Sequence, residues 1–164
     1  MGIESLCLDD NISELVQKYS DMVLRLALTY LKDISDAQDV CQIVFLKIFE
    51  QNKTFVDSDH EKAWIIRVTI NASKDVLRSQ WRKIFLPIED VALPIIDKEN
   101  REVVSFVLEL PQKYRSVIYL HYFENYNTSE IAQLLNRNEA TIRTQLKRAR
   151  ELLKTKIIGG FENE

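Results

Sequence analysis

Apolar residues recur along this chain at spacings of three and four, broken by short polar stretches, and almost nowhere alternate with the period of two that marks a strand. The first periodic block runs from about Ser13 to Lys32 and carries Leu15, Val16, Tyr19, Met22, Val23, Leu26, Ala27 and Tyr30. A turn at Lys32-Asp33-Ile34-Ser35 follows, with Ser35 or Asp36 as the expected N-cap of a second helix over about Asp36 to Glu50. The polar loop Gln51 to Asp59 leads into a long helix from about His60 to Lys83. Periodicity is lost over residues 84–96, where Pro87 and Pro94 break any helix, so this stretch reads as a linker. A helix from about Asp97 to Glu109 comes next. Pro111 suits the start of the following one, which runs to about Phe123.

The last third is the most explicit. Asn127 followed by Glu130 has the pattern of a capping box, and Ile131, Leu134 and Leu135 make one apolar stripe. Asn136 and Asn138 suit a tight turn, with Asn138 as the N-cap of the next helix. There Ile142, Leu146, Ala149 and Leu153 fall at i, i+4, i+7 and i+11, and Arg143, Thr144, Lys147 and Arg148 lie opposite. This is the layout of a helix-turn-helix that sets a cationic helix in the DNA major groove. Arg can pair bidentately with guanine, and Lys and Thr reach bases or phosphates. Periodicity alone also fits a helical hairpin with a solvated basic face.

The fold class expected is all-α: two small helical domains joined by a linker, residues 1–83 and 97–164, the second a helix-turn-helix. In 164 residues there are only three Gly and three Pro, which agrees with this. No apolar run approaches the roughly 20 residues that span a bilayer. The acidic start from Met1 to Asp10 lacks the basic opening of a signal peptide, so no membrane insertion and a cytoplasmic location are expected. Cys7 and Cys41 are too few for a disulfide scaffold, and His60 and His121 stand in no metal-ligand spacing. Cys41 reads as a small core residue. Neither a Gly-rich phosphate loop nor a nucleophile–base pair is recognisable, so no enzyme, cofactor, metal site or catalytic residue is expected.

Net charge is −3, but its distribution changes the picture. Residues 1–61 hold five cations against twelve acids, residues 62–83 six against Asp75 alone, and residues 137–156 seven against Glu139 and Glu151. Two basic segments on an acidic chain argue for two DNA contacts and a different partner for the acidic part. In the long helix Arg67, Asn71, Lys74 and Arg78 recur at i, i+4, i+7 and i+11, extended by Trp81 and Arg82. Such a stripe follows phosphates and stacks on bases. The second helix carries more apolar surface than one face needs: Ala37, Val40, Cys41, Val44, Phe45 and Ile48 point inward, whereas Ile43 and Leu46 lie beside Asp39 and Gln42. An apolar patch rimmed by polar groups suggests a protein partner.

Three segments then resemble the extracytoplasmic-function group of RNA polymerase sigma factors, in the sigma-70 family. Asp36-Ala37-Gln38-Asp39-Val40-Cys41-Gln42-Ile43-Val44-Phe45-Leu46 is similar to the polymerase-binding helix. Ala63-Trp64-Ile65-Ile66-Arg67-Val68-Thr69-Ile70-Asn71 with Asp75 and Arg78 is similar to the helix that melts and reads the −10 promoter box. Leu110-Pro111-Gln112-Lys113-Tyr114-Arg115-Ser116-Val117-Ile118 and the helix-turn-helix are similar to the domain that reads the −35 box. The resemblance implies a promoter-specificity subunit. Asp36, Asp39, Gln42, Ile43 and Leu46 would dock on the clamp of the largest core polymerase subunit, and the second domain would sit on the flap of the second-largest. The linker, with Glu89 and Asp90, would thread toward the active-site region. A base flipped from the −10 box would enter the loop before Trp64, near Lys53, Phe55, Asp57, Ser58 and His60, while Arg67, Asn71, Lys74, Arg78, Trp81 and Arg82 hold the strand. Arg137, Thr141, Arg143, Thr144, Lys147 and Arg148 would read the −35 box. An anti-sigma factor is a further implied partner. Ile43 stands where the family usually has an acid, Asn125 and Ala140 where Gly is common, and the loop before Trp64 lacks the usual Gly. The alternative is a helix-turn-helix regulator that is not a sigma subunit, which leaves the stripe from Arg67 to Arg82 unexplained. A protein-only adaptor leaves both basic segments without a role. The end, Ile157 to Glu164, reads as a frayed tail.

Overall fold

A computed structural model describes the backbone over residues 3–80 and 105–162 and the side chains over residues 11–80 and 105–159. The chain divides into two compact units, Met1–Val91 and Ala92–Glu164. Among the described residues every regular element is a helix. The expected linker 84–96, the helix start at Asp97, and Trp81 and Arg82 lie outside the described residues.

The first unit holds α1 (Ile3–Leu31), α2 (Ile34–Gln51) and α3 (Ser58–Gln80), and each packs against the other two. Helix α1 begins about ten residues before the expected Ser13. No Gly or Pro stands between Ile3 and Ser13, so nothing in the backbone stops it there. It ends where Lys32 adopts a positive φ of 56° and its N–H bonds the Leu28 carbonyl at 3.0 Å. The N-cap of α2 is Asp33, not Ser35 or Asp36: extended at φ −120°, its Oδ1 accepts from the Asp36 N–H at 2.8 Å. The carboxylate meets the helix start one residue after the break, which leaves no room for a later cap.

Val23 and Leu26 of α1, Val40 and Val44 of α2, and Ile65 and Ile66 of α3 are fully buried and form the centre of this unit. Cys41 and Phe45, expected inside, are only half-buried. Burial still pushes the Cys41 thiol up to about 11, so it is not a reactive thiolate at neutral pH. Two polar clips fix the helices in register. The Tyr19 hydroxyl of α1 donates to Glu61 Oε1 of α3 at 2.8 Å, and Gln80 Nε2 at the end of α3 donates to Asp36 at the start of α2.

The second unit contains a helical segment at residues 105–109, then α4 (Gln112–Ile118), a π turn over Tyr119–Phe123, α5 (Thr128–Leu135) and α6 (Glu139–Glu162). Pro111 stands just before α4 at φ −53°, and its carbonyl accepts from the Tyr114 N–H at 2.9 Å. Arg115, only 5% exposed, donates Nη1 to the Leu108 carbonyl at 3.3 Å and ties α4 to the preceding segment. Burial pushes its guanidinium down to about 10, so it is still cationic at neutral pH. Leu120, Ile131, Ile142 and Ala149 are buried, and α5 packs on α6. Helix α6 does not end in a frayed tail at Ile157. It runs on to Glu162, with Lys156 ion-paired to Glu109 at 2.7 Å. Gly159 weakens a helix but does not forbid one.

The turns of this unit rest on asparagine. The capping box is complete: Asn127 Oδ1 accepts from the Glu130 N–H at 2.8 Å, and Glu130 Oε2 accepts from the Asn127 N–H at 2.9 Å. Asn136 takes a left-handed φ of 51° and Asn125 one of 59°, which explains Asn where Gly would otherwise serve. Asn138 Oδ1 caps α6 by accepting from the Ala140 N–H at 2.9 Å. Asn127→Ala is therefore expected to cost about 1 kcal/mol, which lowers the melting transition of this unit by roughly 4–8 °C. Differential scanning calorimetry checks this, and an unmoved transition would leave the box without energetic weight.

Candidate nucleic-acid and protein interfaces

Three surfaces emerge from the two units, two assembled from a helix and its flanking loop or turn and one from a helix face alone. The first is the loop between α2 and α3 with the open face of α3. Asn52 ends α2 in the left-handed region at φ 42° and turns the chain outward. Asp57 then caps α3, its Oδ1 accepting from the His60 N–H at 2.8 Å, while His60 Nδ1 accepts from the Val56 N–H at 3.4 Å. These bonds close the loop on itself and collect its aromatic rings. The Phe55 centroid lies 5.5 Å from Trp64 and 5.6 Å from His60, and Lys53 Nζ sits 4.9 Å from the Trp64 centroid. A partly open aromatic wall with a cation beside it can stack a base and attract its phosphate. Ser58 is exposed at the first turn of α3.

Helical spacing places His60 and Trp64 on the same face as Arg67, Asn71, Lys74 and Arg78, so the loop cluster continues into the polar stripe. Arg67, Asn71 and Arg78 are exposed, Lys74 is half-buried, and Arg78 is ion-paired with Asp75 at 3.1 Å. The core residues Ile65, Ile66, Thr69, Ile70, Ala72 and Ser73 occupy the other side.

The second surface is the outer face of α2. Asp39 and Gln42 are exposed beside Ile43, at 37% exposure, and Leu46, at 57%. Phe49, 54% exposed, continues the row at the next i+3 step and was missed by sequence reasoning. The signal was available, since Ile43, Leu46 and Phe49 are evenly spaced while Val40, Val44 and Ile48 account for the core. Asp36 differs from the rest of its expected group. It is half-buried and holds Gln80, so its first role is to join α2 to α3.

The third surface is the start of α6. Thr141, Arg143, Thr144, Lys147 and Arg148 are exposed. Their side chains are not equally free. Arg143 is ion-paired with Glu139 at 2.7 Å, and Glu139 also accepts from Thr128 Oγ1 of α5 at 3.0 Å. The Thr144 hydroxyl donates to the Ala140 carbonyl at 3.0 Å, within its own helix. Arg137, in the turn, donates Nη1 to Gln145 Oε1 at 3.1 Å, bracing the turn against the helix that follows. Among the described residues no group of acidic, histidine and cysteine side chains could hold a metal ion, and no helix is long and apolar enough to cross a membrane.

The family profile described as Sigma-70 region 2 matches residues 15–83, and that described as Sigma-70, region 4 matches residues 100–153. The chain is 25% identical over 167 residues to the ECF RNA polymerase sigma factor SigW of Bacillus subtilis, which covers 90% of this chain and 89% of the relative. It is 28% identical to SigM of the same organism, also described as an ECF RNA polymerase sigma factor, over 93% of this chain and 99% of the relative. The fold is similar to that of the sigma factor RpoE from Bartonella quintana, solved with the anti-sigma factor NepR, at a TM-score of 0.73 and 16% identity over 88% of this chain and 95% of that one. CnrH, solved with the cytosolic domain of CnrY, is similar at a TM-score of 0.63 and 20% identity, over 92% of this chain and 90% of that one.

Proposed function

The chain belongs to the extracytoplasmic-function group of the sigma-70 family, a promoter-specificity subunit of RNA polymerase, and from that premise we propose how its residues divide the work. The match to region 2 disfavours a helix-turn-helix regulator that is not a sigma subunit, because such a regulator needs only the C-terminal unit. Domain one, residues 1–83, binds core polymerase and opens the −10 box. Domain two, residues 97–164, reads the −35 box and rests on the flap of the second-largest subunit. The role is one of binding in the cytoplasm, with the chemistry left to the polymerase.

The single observation that carries this reading is the continuity of the Phe55–His60–Trp64 cluster with the stripe Arg67, Asn71, Lys74 and Arg78 on one face of α3. Opening a duplex requires a place for the extruded base and a track for its strand, side by side. Extrusion costs a few kcal/mol of unstacking, and stacking on aromatic rings returns about 1–3 kcal/mol per base. The outer face of α2 serves the core polymerase clamp through Asp39, Gln42, Ile43 and Leu46, with Asp36 supporting from behind. An anti-sigma factor is a further partner of this reading; RpoE of Bartonella quintana, similar in fold, was solved in complex with one.

Asn71→Ala and Lys74→Ala are expected to leave closed-complex affinity within about twofold while reducing strand opening roughly tenfold, the loss of one or two strand contacts. Permanganate reactivity of thymines around −10 in reconstituted holoenzyme reports opening. Reactivity equal to wild type in both variants would remove α3 from the melting role.

A further inference from the structure

The C-terminal unit holds a cation–aromatic cluster outside the six residues assigned to the −35 box. Arg150 is exposed, yet it is not loose: its Nε donates to the Tyr122 hydroxyl at 2.5 Å, and its guanidinium carbon lies 5.6 Å from the Tyr122 ring centroid. Tyr122 is 51% exposed and meets His121 edge-on at 4.8 Å. His121 Nδ1 in turn donates to the Tyr126 carbonyl at 2.9 Å. All three aromatic residues belong to the π turn or the loop just after it. The helix geometry is altered at the place that carries this cluster, and such turns often mark functional sites.

We propose that Arg150, held by Tyr122, is a further contact of α6 to the DNA backbone, with Tyr122 as its positioning residue. This rests on the reading of α6 as the −35 recognition helix. Arg150 follows Arg143 by seven residues and Lys147 by three, so the three cations share one edge of the helix. A recognition helix reads bases with its N-terminal residues. Arg150 stands eleven residues after Glu139, about 16 Å along the axis at 1.5 Å per residue. It also lies far around the helix from Arg148, on the edge shared with Arg143 and Lys147 at the far end of the recognition stretch, so it is placed toward a phosphate wall of the groove rather than over base edges. Holding Nε on a tyrosine leaves both terminal nitrogens of the fork for a phosphate, the geometry that favours Arg over Lys. It also removes part of the side-chain freedom that binding would otherwise have to quench.

The test uses core polymerase reconstituted with the full chain carrying Arg150→Ala, Tyr122→Ala, Tyr122→Phe or, as a reference, Arg148→Ala. Affinity is measured on a wild-type promoter and on −35-substituted promoters between 50 and 200 mM salt. Arg150→Ala is expected to weaken binding roughly threefold to tenfold, by the same factor on every promoter, and to lower the salt slope by about one unit. Tyr122→Ala should move in the same direction, and Tyr122→Phe, which keeps the ring but not the hydroxyl, should fall between it and wild type. Unchanged affinity and slope in Arg150→Ala, alongside lost discrimination in Arg148→Ala, would overturn this inference alone. A loss confined to certain −35 sequences would make Arg150 a base reader, and a loss of core binding would assign it to the polymerase; either overturns it. If Arg148→Ala also had no effect, the assignment of α6 beneath it would fall.

Discussion

Replacing Leu46 with Glu is expected to abolish practical assembly with core polymerase, weakening it by about 2–4 kcal/mol, or roughly 30- to 1000-fold. Leu46 stands in the middle of the exposed row Ile43, Leu46 and Phe49, flanked by Asp39 and Gln42. An apolar anchor at the centre of a docking face contributes most of the affinity, and a carboxylate there would have to shed its water against an apolar partner. The fold itself should not notice, because Leu46 is 57% exposed and packs no core. Asp39→Arg acts on the same face through charge and should fail in the same assay. Titration of labelled variants against purified core enzyme, with melting curves as a control, measures this. Wild-type affinity in a folded Leu46→Glu protein would remove α2 from the docking face.

Arg148→Ala is expected to lose about 1–3 kcal/mol of discrimination at one −35 base pair, a factor of roughly 5 to 150. Arg148 is exposed on the outer side of α6, within the stretch that follows the turn. Arg143→Ala should cost less. Its guanidinium is already ion-paired with Glu139, so any DNA contact it makes replaces an existing partner instead of adding one to a free cation. Band shifts of holoenzyme on promoters varied singly through the −35 box separate the two. Equal losses on all sequences would reassign Arg148 to phosphate binding.

The parts of this molecule that were legible in advance are those fixed by local rules. The helix-turn-helix could be read residue by residue, because Asn127, Glu130 and Asn138 cap through their own side chains and Asn136 takes the left-handed turn that Asn tolerates. The centres of the apolar stripes of α2 and α6 were also plain, since buried Val40, Val44, Ile142, Leu146 and Ala149 follow a single period, while Cys41, Phe45 and Leu153, expected on the same stripes, are only half-buried. What was misread depends on backbone context. The N-cap of α2 falls on Asp33 because Lys32 turns left-handed first, a choice that no side-chain pattern announces. The π turn at Tyr119–Phe123 has no sequence signature, and it carries Tyr122. Helix α6 outlasts its expected end at Ile157, and just before that point Lys156 is held by Glu109, a partner 47 residues away.

The candidate sites divide in the same manner. The stripe from Arg67 to Arg78 was visible as a period in the sequence. Its continuation through Trp64 and His60 follows from the same spacing, and the resemblance had already pointed to the loop before Trp64. The packing of Phe55 against both rings was not legible, because it depends on how the loop closes through the His60 N–H on Asp57 and the Val56 N–H on His60. Likewise the ties of Arg137 to Gln145 and of Asp36 to Gln80 come from packing, whereas the i,i+4 pair of Arg143 with Glu139 is local to one helix; all three separate residues that otherwise look equivalent.

The most direct measurement is transcription in vitro from a genomic template library, using purified core polymerase with and without this chain, followed by mapping of RNA 5′ ends. The account predicts that adding the chain creates a discrete set of start sites, each preceded by a shared pair of sequence boxes near −35 and −10. It also predicts that Leu46→Glu erases the set. Start sites that are unchanged by the wild-type chain, with no inhibitor present and core binding verified, would contradict it.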